Sequence, residues 1–212
     1  MTAYAAVVLA GGAGRRMGGR DKPAMPVGGV PMRERVLAAV ADASPRIVVG
    51  PGPAVAGVRL TREVPPGGGP VAAVAAGLAL LDTDVPAVAL LAADLPLLTR
   101  SAVGDLLDQL HRTGVERHDG ATSASGAAVD GACYVDGAGR RQTLCGVWRP
   151  AALRTALDRL TVRRGGDVTG APLRELLADL SVRAVSWHGD GPEPWFDCDT
   201  ERDLRRAEGW MR

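Results

Sequence analysis

The stretch YAAVVLAGGAGRRMGGRDK, Tyr4 to Lys22, decides how the rest of the chain is read. Tyr4 to Leu9 is a short apolar, Val-containing run, which predicts a strand buried on both faces that opens into a loop at Gly11-Gly12. Beyond the loop, PMRERVLAAVAD at Pro31 to Asp42 places a proline at a first helical position and apolar residues at helical spacing. Strand, loop and helix form the opening unit of an open α/β sheet, where ligands bind beyond the carboxyl ends of the strands. Five glycines between Leu9 and Lys22 let successive backbone N–H groups approach phosphate oxygens, and Arg15, Arg16 and Lys22 add positive charge.

Two commoner phosphate loops do not fit. A dinucleotide fingerprint needs a third glycine where Met17 stands, and a P-loop needs Ser or Thr directly after a Gly-Lys pair. A merely flexible turn would explain the glycines but not the charges set between them. Lys22 is the only lysine in the chain, against twenty-four arginines, and there is no asparagine. A lysine retained in so Arg-rich a chain marks a place where a compact ammonium fits and a planar guanidinium does not.

The alternation continues downstream. Arg46–Val49, 58–60 and 85–92 read as strands, and Pro70–Leu81 and Arg100–His111 as helices, the first of these entered through Gly67-Gly68-Gly69. Strands are expected at 132–135, 143–148 and 182–186, and helices at 150–159, 171–180 and 200–208. The region 115–141 is poorer in pattern, and a hairpin that supplies substrate contacts is expected there. The pattern predicts a three-layer α/β/α, Rossmann-like fold with a mostly parallel sheet.

Composition narrows the function. A chain of 212 residues with 46% hydrophobic and 23% charged content is expected to form a single domain, residues 1–212. A formal net charge of +1 supplies no field for a nucleic-acid backbone. Cys133, Cys145 and Cys198 are scattered and odd in number, which fits apolar fillers in a reducing compartment. The N-terminal run has no positively charged leader and no stretch reaches a bilayer span, so a soluble cytoplasmic protein with no membrane partner is expected. His111, His118 and His188 have no triad spacing, and the four tryptophans read as packing residues.

A triphosphate needs a counter-ion, and Mg²⁺ takes one or two carboxylates plus substrate oxygens. Asp94 follows the apolar run Val88 to Ala93 and so emerges at a strand's carboxyl end beside the first loop. Thr99 is better placed than Asp94 to cap the next helix. Asp197 and Asp199 are alternate residues that can face one ion, although Asp199 is also in position to cap the last helix. Glu63, in another strand-end loop, is either a base or ribose acceptor or simply solvated.

Five segments in order resemble the molybdenum cofactor guanylyltransferases within the wider GT-A-like nucleotidyltransferases: LAGGAGRRMGGRDK (9–22), GGGPVAAVAAGL (67–78), AADLPLL (92–98), QTLCGVWRP (142–150) and DCDTERDL (197–204). Related cytidylyltransferases usually carry Leu-Ala-Ala-Gly and a shorter Gly-to-Lys spacing. The resemblance implies a GT-A-like fold, nucleotide contacts from Leu9, Ala10, Gly11 and Gly12, phosphate contacts from Lys22, and Mg²⁺ and GTP contacts from Asp94. With the loop reading, Gly14, Gly50 and Glu63 join the expected nucleotide contacts, Arg16 joins Lys22 and Asp94 as expected catalytic residues, and Asp199 joins Asp94 as an expected metal ligand. Gly50 stands where the family often has Asn, Glu63 where Asp is usual, and Asp197 and Asp199 where Asn is frequent.

The reaction implied is attack of a molybdopterin phosphate on the α-phosphorus of GTP, with transient contact to molybdoenzymes or cofactor-insertion proteins afterwards. Rival readings are a cytidylyl, phospholactate guanylyl or sugar-1-phosphate enzyme, and a non-catalytic nucleotide- or cofactor-binding protein that needs no metal carboxylate.

Overall fold

The structure is a computed structural model, and the residues described are 3–11, 21–112, 115–116, 122–123 and 128–211. The strands are β1 (Ala5–Leu9), β2 (Pro26–Val27), β3 (Val30–Pro31), β4 (Arg46–Val49), β5 (Val58–Thr61), β6 (Val88–Ala92), β7 (Val115–Glu116), β8 (Thr122–Ser123), β9 (Gly131–Val135), β10 (Arg141–Trp148) and β11 (Val182–Ser186). The helices are α1 (Met32–Ala39), α2 (Pro70–Leu78), α3 (Arg100–His111), α4 (Pro150–Arg163), α5 (Leu173–Leu176) and α6 (Glu201–Gly209).

Seven strands form one sheet in the order β11-β9-β10-β6-β1-β4-β5. Within it only β10 runs against its neighbours, pairing antiparallel with β6 and β9. The mostly parallel α/β/α architecture expected from the alternation is thus the one observed. β1 is buried along its whole length because both faces are covered. Its Ala6 and Val8 pack with Val36, Leu37, Val103 and Leu106 from α1 and α3. Its Ala5, Val7 and Leu9 pack on the other face with Val71, Val74 and Leu153 from α2 and α4. Period-two alternation along a central strand therefore feeds two separate cores. Ala10 donates to the Val49 carbonyl at 2.8 Å and Ala93 to the Leu9 carbonyl at 3.0 Å, so the carboxyl ends of β1, β4 and β6 lie side by side.

Several expected boundaries move. Pro31 belongs to the small β2–β3 hairpin and flanks α1 in an extended conformation, instead of opening the helix. α2 stops at Leu78 and not Leu81. The helix expected over 171–180 is a single turn, because Leu177 ends it and Ser181 must already pair with Asp130 as the chain enters β11. The last helix begins at Glu201, with Thr200 and Asp203 forming a reciprocal capping box, so Asp199 is not its cap. Thr99 caps α3, accepting from Ala102 N–H at 3.2 Å, which leaves Asp94 free of that task. The hairpin expected around residues 115–141 is β9–β10, which runs on to Trp148, with β7 and β8 paired separately. No helix among the described residues is long and apolar enough to cross a membrane.

Candidate active site

Three stretches far apart in sequence meet at the carboxyl end of β6. Asp94 lies two residues past Ala92, where β6 ends. Lys22 opens a single 3-10 turn, Lys22–Ala24. The segment before α6 is drawn in by the Cys198 N–H donating to the Asp94 carbonyl at 3.3 Å. The Lys22 ammonium donates to Asp94 Oδ2 and, at 2.6 Å, to Asp199 Oδ1. Burial pulls the Lys22 pKa down, but the Asp94 charge and the hydrogen bonds from both carboxylates outweigh it and hold the ammonium above its ordinary value. Asp197 moves the other way. Burial raises its carboxyl, and the neighbouring Asp199 and Asp94 charges raise it further. Lys22 is therefore charged, and it is the cation around which three acidic side chains gather.

Beside this cluster lies a cavity of about 640 Å³. Leu9 and Gly11 form one wall, Gly50 and Pro51 a second, and Arg62, Glu63, Gly67, Gly69 and Pro70 a third, with Asp94 at the rim. The cavity thus unites Leu9, Gly11, Gly50, Glu63 and Asp94, all expected from sequence to touch nucleotide. Buried Ala10 holds β1 to β4 through its backbone and does not line the cavity. Glu63 is anchored by accepting the Gly67 N–H at 3.0 Å on Oε1. The α2 N-terminus opens directly on this cavity at Pro70, with Gly69 at φ +90° before it. Gly12, Gly14 and Arg16 lie outside the described residues.

Sequence reasoning overlooked two features. Arg33 is buried, 4% exposed, behind Pro51; its signal was a charged residue in the apolar phase of PMRERVLAAV. A second hollow of about 600 Å³ lies between the β9–β10 turn and the segment before α6, lined by Arg140, Arg141, Gln142, Trp195, Phe196 and Asp197 among others. Asp197 joins it to the Lys22 cluster. The expectation of a substrate-contacting hairpin around residues 115–141 was too coarse to single out these arginines. The three cysteines are buried and unpaired; burial pushes the Cys133 thiol up to about 11 and the Cys198 thiol up to about 12, which makes them inert fillers. Among the described residues no group of three or more His, Cys, Asp or Glu side chains is arranged to hold a metal ion.

Residues 6–184 match the family described as MobA-like NTP transferase domain. The chain is 32% identical to a molybdenum cofactor guanylyltransferase of Nitrobacter hamburgensis, covering 95% of this chain and 91% of that protein. It is 30% identical to one of Rhodobacter capsulatus, covering 98% and 96%. Molybdopterin-guanine dinucleotide biosynthesis protein A of Archaeoglobus fulgidus superposes with a TM-score of 0.64 at 19% identity, covering 96% of both chains. The 2-C-methyl-D-erythritol 4-phosphate cytidylyltransferase of Thermus thermophilus superposes at 0.65 with 21% identity, covering 98% of both. These two structures share the fold while differing in the base their names carry. The chain belongs to the MobA-like NTP transferase family and is a nucleotidyltransferase.

Proposed function

We propose that this chain, acting as one nucleotidyltransferase domain, transfers GMP from GTP to the phosphate of molybdopterin and releases pyrophosphate. The observation that carries the reading is the convergence of Lys22, Asp94 and Asp199 at the rim of a cavity walled by Leu9, Gly11, Gly50 and Glu63. The names of the curated relatives support guanylyl transfer in particular.

In this reading the cavity takes the nucleotide, with Glu63 accepting hydrogen bonds from donor groups on the guanine edge. An oxygen of the acceptor phosphate attacks the α-phosphorus, the bond from that phosphorus to the α–β bridging oxygen breaks, and pyrophosphate departs. Lys22 stabilises charge growing on the phosphate oxygens. No protein nucleophile is needed, since holding the two phosphates in line supplies most of the rate. Asp94 and Asp199 already converge on one cation, and hard carboxylate oxygens in that arrangement suit Mg²⁺, which takes its remaining ligands from substrate and water. Bound there, Mg²⁺ would neutralise and orient the triphosphate. The hollow lined by Arg140, Arg141, Gln142 and Trp195, sharing Asp197 with the cluster, offers the acceptor a polar berth beside it.

The test is pyrophosphate release with each of the four NTPs and Mg²⁺, with and without molybdopterin. Release that requires both GTP and molybdopterin is expected. Release with CTP alone among the NTPs would replace the guanylyl assignment, and release with GTP but without dependence on molybdopterin would remove the acceptor.

A further inference from the structure

Arg33 is the one charged side chain buried among the described residues, at 4% exposure. It sits in the first turn of α1, on the face that also buries Met32, Val36 and Leu37. The guanidinium reaches the loop after β4. At Gly52 an added Cβ would lie 1.7 Å from Arg33 Nη1, so the guanidinium fills the space that this glycine leaves open. The same three-residue loop is pressed from its other side by the β1 end, since a Cβ at Gly50 would meet the Ala10 carbonyl carbon at 2.7 Å and the Gly11 nitrogen at 2.8 Å. Gly11, Gly50 and Pro51 are walls of the nucleotide cavity. Arg33 therefore stands immediately behind that wall.

The side chain is poorly satisfied where it lies. A guanidinium has five N–H donors and stays charged at any physiological pH. Among the described residues Arg33 donates once, from Nη1 to the Pro51 carbonyl at a long 3.4 Å, and its Nε finds no partner. Among the described residues it forms no ion pair. The nearby helix end is no help, because the N-terminus of α1 presents the positive pole of its peptide dipoles. A cation withdrawn from water without a counter-charge is among the more costly features a fold can retain, and a hydrophobic residue of similar length would pack there at less expense.

We propose that Arg33 is a phosphate-binding residue of this nucleotidyltransferase, its guanidinium held behind the Gly50–Gly52 loop to receive oxygens of the triphosphate. The ligand supplies the missing negative charge, and the forked N–H groups donate to two oxygens at once, which a lysine could not match. This inference rests on the chain handling a nucleoside triphosphate and is independent of the base and of the acceptor.

The probe is inorganic tripolyphosphate, whose binding to wild type, Arg33→Met and Arg33→Lys is measured by calorimetry, with guanosine as the uncharged control and thermal unfolding of each protein alone. Arg33→Met should unfold at a higher temperature than wild type, having shed an uncompensated charge. It should bind tripolyphosphate roughly 10- to 100-fold more weakly, the cost of losing a desolvated charge contact, while guanosine affinity stays the same. Arg33→Lys should fall between. Equal tripolyphosphate affinity in wild type and Arg33→Met overturns the proposal. So does a parallel loss for tripolyphosphate and guanosine with a lower unfolding temperature, which would make Arg33 a prop for the loop. Should Arg33→Met fail to fold, Arg33→Lys decides: unchanged tripolyphosphate affinity overturns the proposal and a selective loss supports it. A preference for CTP over GTP would undo the guanylyl assignment and leave this result untouched.

Discussion

Lys22 Nζ lies 2.6 Å from Asp199 Oδ1, joining residues 177 positions apart, and the same ammonium is held by Asp94. One compact charge lies between two carboxylates. A planar guanidinium on a longer stem would have to turn its fork toward one carboxylate and release the other, or displace both. Lys22→Arg is expected to keep the net charge and most nucleotide affinity, yet to lose about 10²-fold in kcat, the scale of removing one well-placed stabilising group. Steady-state pyrophosphate release decides it, and wild-type kcat in Lys22→Arg would show that charge alone suffices.

Asp94 and Asp199 share the ammonium unequally with solvent, their side chains being 21% and 43% exposed. A better-covered carboxylate contributes more to holding a cation, because water competes less for it. Asp94→Asn should therefore cost about 10³-fold in kcat, the upper end of what a single electrostatic group supplies in an active site, and the more exposed Asp199→Asn closer to about 10-fold, below that range. Titrating activity with Mg²⁺ separates binding from chemistry: a raised Mg²⁺ requirement in Asp199→Asn that saturates near wild-type rate fits a shared ligand. Equal losses in both variants would contradict the ranking by exposure.

Much of this site was legible in the residues. The apolar run into Gly11 placed a strand end, and the run Val88 to Ala93 placed Asp94 at a second. Parallel neighbours then had to bring the two together, because only the carboxyl ends of adjacent parallel strands share a rim. What could not be read was tertiary. Asp199 was balanced between capping α6 and meeting a cation. The capping box of Thr200 with Asp203 removes the capping role, since a helix start needs one cap, and Asp199 instead meets the Lys22 ammonium. Arg33 was invisible for a related reason: a charge in an apolar phase reads as a helix edge until burial shows that it points inward. The hollow at Arg140 and Arg141 depends on a turn between antiparallel strands meeting the segment before α6, a contact over more than 50 residues of chain that no local pattern announces.

Gly50 stands where the family resemblance implies an Asn, and the backbone explains why glycine serves here. Its φ is +139°, and a Cβ would come within 2.8 Å of the Gly11 nitrogen. Gly50→Asn would strain this position and crowd the Ala10–Gly11 backbone, displacing the Gly11 wall of the cavity. The expected outcome is a loss of about 1–3 kcal/mol of stability, as for other side chains forced into that region, and weaker GTP binding. Thermal unfolding with and without GTP checks both, and an Asn variant with wild-type stability and tighter GTP binding would contradict this account.

Asp42 gives the fold a pH-dependent tie at the opposite end of α1 from Arg33. Its Oδ1 accepts from the Tyr4 hydroxyl at 2.7 Å and its Oδ2 from Arg100 Nη2 at 2.9 Å. Partial burial raises the Asp42 carboxyl, but the Tyr4 and Arg100 hydrogen bonds and the Arg100 charge outweigh it, so the pKa lies below the ordinary carboxylate value. A carboxyl depressed in the folded state adds stability above its unfolded pKa of ~3.9 and loses it as the pH falls through the folded value. Asp42→Asn keeps an acceptor for Tyr4 and removes only the charge. At pH 7 it should therefore be less stable than wild type by a few tenths to about 1 kcal/mol, a modest figure because Arg100 is 58% exposed and the pair is screened by water. The gap should narrow as the pH drops below ~4 and should shrink in 1 M salt, where the Debye length is only about 3 Å. Chemical denaturation of both proteins from pH 3 to pH 8 measures it. A gap that persists unchanged at pH 3 would assign the loss to packing and not to the ionised carboxylate.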